Sequence, residues 1–482
     1  MLKARKVHFI GVGGYGMSAL AMVLKQRGTA VSGSDVAASA RTQRLAEAGV
    51  EVHIGAHDAA HIEGADVVVY STQVPEDNPE LAAARARGLR VLHRSELLAE
   101  FLNGRSIAVA GTHGKTTTSS MVACLLEKAG LDPTILLGGD LEVIGGTGKA
   151  GRGDWVVAEA DESDRSFLRY HPRVAVVTNV EPEHLEFWEG SFARIQEGFR
   201  QFLRQVQPGG LAALCADDPT LRSIGQELRN QPGVVHVVFY GTHPEAEWRA
   251  ENIRPWEKGI VYDCVRDGRL LGEVRLPIPG RHNALNSLGA LVAGDYAGLS
   301  FRQMQETLLS FGNARRRFEV WADVDGIRVV DDYAHHPTEI RATLAAAREQ
   351  AGRRVVAVFQ PQRYSRTHWL MDEFATAFQD ADVLVLTRIY SPPGERPIPG
   401  VSAEALARRI QANTGRPVAV ISDQEEILRF LLAEVRPGDT VITMGAGDIW
   451  KVARALAQAL QSRAVTRTAS SGSGRPAPGS GR

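Results

Sequence analysis

A three-domain α/β protein is the fold that the sequence predicts, and three observations predict it. The chain has 482 residues, a length that at roughly 100 to 200 residues per domain favours about three domains over one. Short β-branched runs alternate with longer Ala/Leu-rich stretches from end to end, the pattern of parallel strands with helices on their faces. Two Gly-rich turns, GVGG at 11–14 and GTHG at 111–114, each stand between a strand-like and a helix-like run. With 44% hydrophobic and 23% charged residues the composition is that of a globular protein and excludes a disordered or fibrous chain. A net charge of −1 provides no long-range field for nucleic acid or an anionic membrane, so neither is an expected partner. No apolar run reaches the roughly 18 residues of a membrane span and no signal-peptide core opens the chain, so a cytoplasmic location is expected. Cys124, Cys215 and Cys264 are too few and scattered for a disulfide framework or a Cys-based zinc site, and read as small hydrophobes.

The elements follow in order. In a first section, 1–104, KVHFIGV (6–12) reads as a buried strand and SALAMVLKQRG as a helix ended by Gly28. Strands VEVHIG, ADVVVYS and LRVLH follow, with helical patterns between them. The polar Asn103-Gly104 turn before SIAVA marks a boundary. The second section, 105–313, runs through the helix TTTSSMVACLLEKAG and the strands WVVAEAD and VAVVTNV to a helix in GRHNALNSLGALVAGDYAG, with Gly just past its end. The third, 314–463, begins with strand RVVDDY and helix PTEIRATLAAAREQAG, continues with four more strands, and closes on IWKVARALAQALQSR. From 464 to 482 the sequence is rich in Ser, Gly and Pro without apolar periodicity, and a disordered tail is expected there.

Four groups of residues carry chemistry. Gly11, Gly13 and Gly16 satisfy G-x-G-x-x-G between a strand and a helix, and Asp35 follows 19 residues after Gly16. This spacing suits a nucleotide diphosphate on a helix N-terminus with Asp35 near a ribose hydroxyl or base; the type of nucleotide stays open. In AGTHGKTTT the loop is shorter than a strict G-x-x-x-x-G-K-[ST], since Val109 stands five positions before Gly114. The chemistry still fits: amides of Gly111, Thr112, His113 and Gly114 cradle phosphates, Lys115 reaches the β/γ oxygens and the Thr116 hydroxyl ligates Mg²⁺. Glu159, Asp161, Glu162 and Asp164 in EADESD, then Asn179, Glu183 and His184 in NVEPEHLE, end the next two strands, where a phosphate-bound hard cation needs oxygen ligands. In the third section the adjacent His335 and His336 suit substrate contact better than metal ligation. Arg363 and Arg366 suit a carboxylate or phosphate, with a solvated basic face as the competing account. Two phosphate loops in one chain suggest ATP at one and a nucleotide-bearing substrate at the other.

GVGGYGMSALA, AGTHGKTTT, EADESD, NVEPEHLE, GRHNALN, RRRFE, DDYAHHPTE, FQPQRYSRT and GAGDI occur in one order over about 6–463, and together they resemble the Mur ligases. The likeness is greatest to members that join L-alanine to UDP-N-acetylmuramate. It implies a Rossmann-like UDP-sugar domain, a central P-loop ATPase domain and a Rossmann-like C-terminal domain that brings the amino acid, in an ATP- and Mg²⁺-dependent (or Mn²⁺-dependent) ligase of peptidoglycan precursor synthesis, monomeric or homodimeric. Carried over by position, Gly11, Gly13, Gly14, Gly16, Met17, Ser18 and Asp35, with Ser71 and His93, match the UDP-sugar site. Gly111 to Gly114, Lys115, Thr116, Thr117, His282, Asn283, Arg316 and Asp332 match the ATP site. Thr116, Glu159 and His184 match the metal site, and Tyr333, His335, Arg363 and Arg366 the amino-acid side. Lys115, His184, His335 and Arg366 would be catalytic, with His184 or His335 deprotonating the amine. The family usually has Asp at Glu183 and Glu186 and often His at Gln362. Gly198 stands near the place of the carbamylated Lys of later-step members, and no Lys occurs between Lys149 and Lys258. Rival readings are a ligase for a preformed peptide, an NAD-dependent oxidoreductase built on Gly11 to Gly16, and an ATP-driven binding module.

Overall fold

In a computed structural model that describes residues 4–231, 233, 235–391 and 395–472, the chain forms three sheets. The first is wholly parallel: β1 (Lys6–Ile10), β2 (Ala30–Asp35), β3 (Glu51–Ile54), β4 (Val67–Tyr70) and β5 (Arg90–His93) lie in the order β3-β2-β1-β4-β5. The order reverses between β1 and β4, and the crevice outside the carboxyl ends of strands at such a reversal is where open α/β sheets bind ligands.

The second sheet has ten strands: β6 (Ser106–Ala110), β7 (Thr134–Leu141), β8 (Gly146–Lys149), β9 (Val156–Glu159), β10 (Val174–Val177), β11 (Leu211–Cys215), β12 (His236–Gly241), β13 (Trp248–Trp256), β14 (Gly259–Arg266) and β15 (Arg269–Leu276). Its parallel heart, β12-β11-β10-β6-β9-β7, is fully buried in β6, β10 and β11, as expected of strands covered on both faces. The sequence reading did not resolve the antiparallel ribbon β13-β14-β15, whose alternating exposed and buried residues break the run of buried strands. The third sheet, β16 (Glu319–Val324), β17 (Ile327–Asp332), β18 (Val355–Phe359), β19 (Val383–Leu386), β20 (Val418–Val420) and β21 (Thr440–Met444), has the order β16-β17-β21-β18-β19-β20, parallel except at β16.

These α/β domains form two compact units, 1–315 and 316–482. The first two sheets share one unit because the helix Tyr15–Gln26 packs on the edge of the second. Ser18 Oγ lies 3.1 Å from Thr147 Oγ1, and Arg27 Nη2 donates to Thr134 Oγ1 at 2.8 Å. One continuous apolar core joins both sheets. The three cysteines are free and buried, and burial pushes the Cys264 thiol up to about 12. No helix among the described residues is long and apolar enough to cross a membrane. The closing helix runs from Trp450 to Gly472, which corrects the expectation of disorder from Ala464. Ala464, Ala469 and the absence of Pro before Pro476 let the helix propagate past its last apolar contacts; the rest of the expected tail, 473–482, lies outside the described residues.

Candidate active site

The phosphate loop leaves β6 and enters the helix Lys115–Lys128. Gly111 has φ +126°, and a Cβ there would stand 2.1 Å from Thr178 Oγ1, so the turn admits only glycine. The loop is clamped from the end of β10. Asn179 Oδ1 accepts from His113 N at 2.8 Å, the Asn179 carbonyl accepts from Thr112 N at 3.1 Å, and Glu181 N donates to Thr112 Oγ1 at 2.9 Å. Among the described residues no side chain caps the helix, so its first amides face the loop mouth.

Inside this mouth Lys115 Nζ donates to the carbonyls of Gly111 (2.6 Å) and Thr112 (3.0 Å) and to both oxygens of buried Glu162 (3.1 and 3.0 Å). Burial alone would lower the Lys115 pKa, but Glu162, Asp161 and Glu159 outweigh it and move it up, so the side chain is an ammonium. Burial pushes the Glu162 carboxyl up against the pull of that ammonium. Beside the pair, Thr116 Oγ1 donates to Glu159 Oε2 at 3.2 Å, while Ser119 Oγ and Gly138 N bind Glu159 Oε1 at 3.3 and 2.7 Å. Thr116 and Glu159 are thus neighbouring hard oxygen donors, a set that fits Mg²⁺ or Mn²⁺.

His184 follows β10 with φ +54° and opens the short turn Leu185–Phe187; its charge acts on Asp161 and Glu162, and its Nδ1 lies 3.9 Å from Glu186 Oε1. At the start of the helix Arg281–Tyr296, Asn283 donates to the Pro279 carbonyl at 2.6 Å and accepts from Asn286 at 3.1 Å, and half-buried His282 precedes it. Asn286 Oδ1 in turn reaches the loop at Gly114. Thr117 is buried in the first turn of its helix.

The GVGGYG loop is built differently. Gly11 N and Val12 N donate to the Ser34 carbonyl at 2.8 and 2.9 Å, and Gly13 N donates to Asp35 Oδ2 at 2.9 Å. Asp35 Oδ1 takes Ala37 N at 3.2 Å, so this carboxylate, expected near a ribose or base, first organises the loop itself. Arg41 Nε donates to the Gly13 carbonyl at 2.6 Å and its guanidinium lies 4.0 Å over the Tyr15 ring. The side chains of Met17 and Ser18, both expected at the UDP-sugar site, are buried, with Ser18 Oγ donating to the Tyr15 carbonyl at 2.9 Å. Gly14 precedes the helix and Ser71 follows β4. His93 Nε2 lies 3.0 Å from Thr72 Oγ1, which donates to Asp164 Oδ2 of the second sheet's motif at 2.6 Å.

Behind this loop Glu80 is fully buried, yet four groups converge on it: Ser34 Oγ (2.6 Å), His61 Nδ1 (2.8 Å), His8 Nε2 (3.0 Å) and His57 Nδ1 (3.1 Å). Burial alone would raise its pKa, but these hydrogen bonds hold the carboxyl down at about 2.

In the C-terminal unit, Asp332 ends β17 and accepts from Phe318 N and Ala334 N, both at 2.7 Å. Arg316, expected at the phosphates, stands at the start of this unit. Its guanidinium donates to Asp331 Oδ2 (2.9 Å) and to the carbonyls of Gly445 (2.6 Å) and Gly447 (3.0 Å), which ties the GAGDI turn to β17. Its neighbour Arg317 lies 5.1 Å over the Tyr333 ring and acts electrostatically on Asp332. Tyr333 meets His335 edge-on at 5.3 Å, and His335 Nδ1 contacts the Tyr333 carbonyl at 2.9 Å. Arg366 Nη1 donates to Gln362 Oε1 at 2.5 Å, so the departure at Gln362 supplies an anchor for the arginine. Arg363, at φ +69°, starts the short helix Tyr364–Trp369.

The structure therefore assembles Lys115, Thr116, Glu159 and His184 around one mouth, and Tyr333, His335, Arg363 and Arg366 are near in sequence to strand ends of the third sheet. Sequence reasoning missed the Glu80 network, whose only signal was the Asn78-Pro79 helix start, and Arg94, whose signal was its place directly after strand β5.

Comparison with known proteins agrees with this architecture. The Mur ligase family catalytic domain matches residues 6–106, the Mur ligase middle domain 109–294, and the Mur ligase glutamate ligase domain 316–447. The chain belongs to the Mur ligase family. It is 45% identical over 462 residues to a protein of Pelotomaculum thermopropionicum named UDP-N-acetylmuramate–L-alanine ligase, covering 96% of this chain and 99% of the relative. Among solved structures it is similar to the UDP-N-acetylmuramate-alanine ligase MurC of Thermotoga maritima, with TM-score 0.81 and 29% identity over 96% of this chain and 100% of that one. It is also similar to a murein peptide ligase of Psychrobacter arcticus, with TM-score 0.68 and 26% identity over 94% and 98%.

Proposed function

We propose that this Mur ligase joins L-alanine to the carboxylate of UDP-N-acetylmuramate, with ATP converted to ADP and phosphate, in the cytoplasmic synthesis of peptidoglycan precursors. The observation that carries the reading is the Lys115–Glu162 pair at 3.0 Å, set beside Thr116 and Glu159 in an uncapped glycine loop. A buried ammonium held by one carboxylate and two loop carbonyls is a cation that can exchange the carboxylate for phosphoryl oxygens. The near full-length likeness to proteins named for the alanine-adding reaction supports the choice of substrates.

On this reading the three sections divide the work: 1–104 hold the UDP-sugar, 105–313 the ATP, and 314–463 the amino acid. A muramate carboxylate oxygen attacks the γ-phosphorus and ADP leaves, giving an acyl phosphate. The alanine amine then adds to the acyl carbon and phosphate leaves, with no covalent bond to the protein. Lys115 and the loop amides offset charge on the transferring group. Thr116 and Glu159, with His184, would hold a divalent cation, which supplies a second positive charge against the phosphates. Arg363 and Arg366 receive the α-carboxylate, and Gln362 fixes the fork of Arg366. His184 or His335 takes the ammonium proton; His335 Nδ1 lies 2.9 Å from the Tyr333 carbonyl and 3.3 Å from Glu339 Oε2, which orient its ring.

The test is phosphate release from ATP with each substrate omitted in turn. Release that needs both UDP-N-acetylmuramate and L-alanine is expected. Turnover with a preformed tripeptide in place of L-alanine would assign the chain to the peptide-adding branch, and phosphate release without either acceptor would remove the ligase reading.

A further inference from the structure

Arg94 begins the helix Arg94–Leu102 at the carboxyl end of β5, at the seam between the first two sheets. Its side chain is 17% exposed, yet among the described residues no group hydrogen-bonds its guanidinium, and its ion-pair contact, Asp161 Oδ2, is 3.8 Å away. An arginine has five N–H donors, and removing them from water without partners is costly. On one side the guanidinium lies against the first turn of the helix that follows the GVGGYG loop: a Cβ on Gly16 would stand 2.8 Å from Arg94 Nη1. On the other side stands EADESD, where Asp161 directly precedes Glu162, the partner of Lys115. The cation therefore occupies the passage between the two phosphate loops. Tyr170, whose hydroxyl is buried without a hydrogen-bond partner, also interacts with it electrostatically.

We infer that Arg94 is an anion-binding residue of the sugar-nucleotide site, placed to take an oxyanion of the ligand where it passes from the glycine loop toward Lys115. The inference rests on the reading of that loop as the UDP-sugar site. Two groups of the ligand share the required chemistry, the diphosphate and the sugar's carboxylate. A planar guanidinium binds either with two parallel hydrogen bonds that a lysine does not reproduce.

The experiment is calorimetric titration of the full chain with UDP, UDP-N-acetylglucosamine and UDP-N-acetylmuramate, for the wild type, Arg94→Ala, Arg94→Gln and Arg94→Lys, with thermal melts of each. Affinity for UDP-N-acetylmuramate is expected to fall roughly tenfold or more in Arg94→Ala and Arg94→Gln and to be only partly restored in Arg94→Lys. A fall shared by all three ligands assigns the diphosphate; a fall confined to UDP-N-acetylmuramate assigns the carboxylate. Unchanged affinity in a folded Arg94→Gln, with or without a lowered melting temperature, overturns the inference and leaves Arg94 a tie between sheets. Failure of the wild type itself to bind any of the three ligands would instead sink the reading of the loop, which keeps the two failures distinct.

Discussion

The two glycine loops of the first unit follow strands in the same way and end in the same element, a helix N-terminus, yet they are furnished for different work. At GVGGYG the acidic partner, Asp35, sits on the loop's own amide, and behind it Ser34 carries the loop through its carbonyl while its hydroxyl rests on Glu80. At GTHGKT the acidic partners lie in front: Glu162 on the Lys115 ammonium and Glu159 on the Thr116 hydroxyl. A carboxylate behind a loop fixes its shape for binding. Carboxylates in front of one hold charges that a phosphoryl group or cation takes over. On the proposed function the first loop is a holder and the second a reaction site, although the glycine patterns alone are nearly interchangeable.

The sharpest way to break this contrast is Lys115→Ala. Turnover should fall roughly 10²-fold or more, the scale of one lost transition-state charge stabiliser, while affinity for UDP-N-acetylmuramate stays near normal. Near-normal turnover by steady-state kinetics would remove Lys115 from the reaction. Next in size is Glu159→Gln, for which the Mg²⁺ concentration giving half-maximal rate should rise about tenfold; a metal titration that overlays the wild type would count against the Thr116–Glu159 site. For Asp35→Ala we expect the opposite split to Lys115: a several-fold higher KM for the UDP-sugar at unchanged kcat, the loss of one charge-assisted hydrogen bond to the loop. A lowered kcat with normal KM would reverse the roles of the two loops.

The smallest expected effect is on stability. Glu80 has a folded pKa of about 2, below the 4.5 of an ordinary glutamate, so its ionised form favours the fold at neutral pH. That stabilisation is present above the unfolded value and is lost as pH falls from about 4.5 toward 2. Thermal melts of Glu80→Gln should therefore show less loss across the acid range than the wild type, with little change in slope above it. Equal acid slopes for the two proteins would show that Glu80 is not held ionised.

Much of this was legible in the chain. Lys115, Thr116 and Glu159 could be placed together because the strand–glycine–helix order and the acidic end of the next strand fix their positions before side-chain detail matters. The direction of the Met17 and Ser18 side chains was not legible, because a glycine loop reveals where a helix starts and not which way its first side chains turn; here Ser18 meets the edge of a second sheet at Thr147. The partners of Arg316 were hidden for a related reason. In RRRFE three arginines are alike in sequence, and only the turn at positive φ decides that Arg316 goes to Asp331 and the GAGDI carbonyls, while Arg316 and Arg317 both stand 5.1 Å over the Tyr333 ring. Glu80 and its histidines were invisible because His8, Ser34, His57, His61 and Glu80 come from four separate segments with no spacing to join them.

Gln362 has a consequence for how the chain meets a varying environment. This residue offers Arg366 an amide oxygen at 2.5 Å that has no proton to gain, where the family resemblance leads one to expect an imidazole. An imidazole there titrates near pH 6.5, and once charged it repels the guanidinium it is meant to steady. The Gln362 grip on Arg366 is thus indifferent to acidity through the neutral range, and on the proposed role of Arg366 the capture of the amino acid should be as firm in a mildly acidified cell as in a resting one.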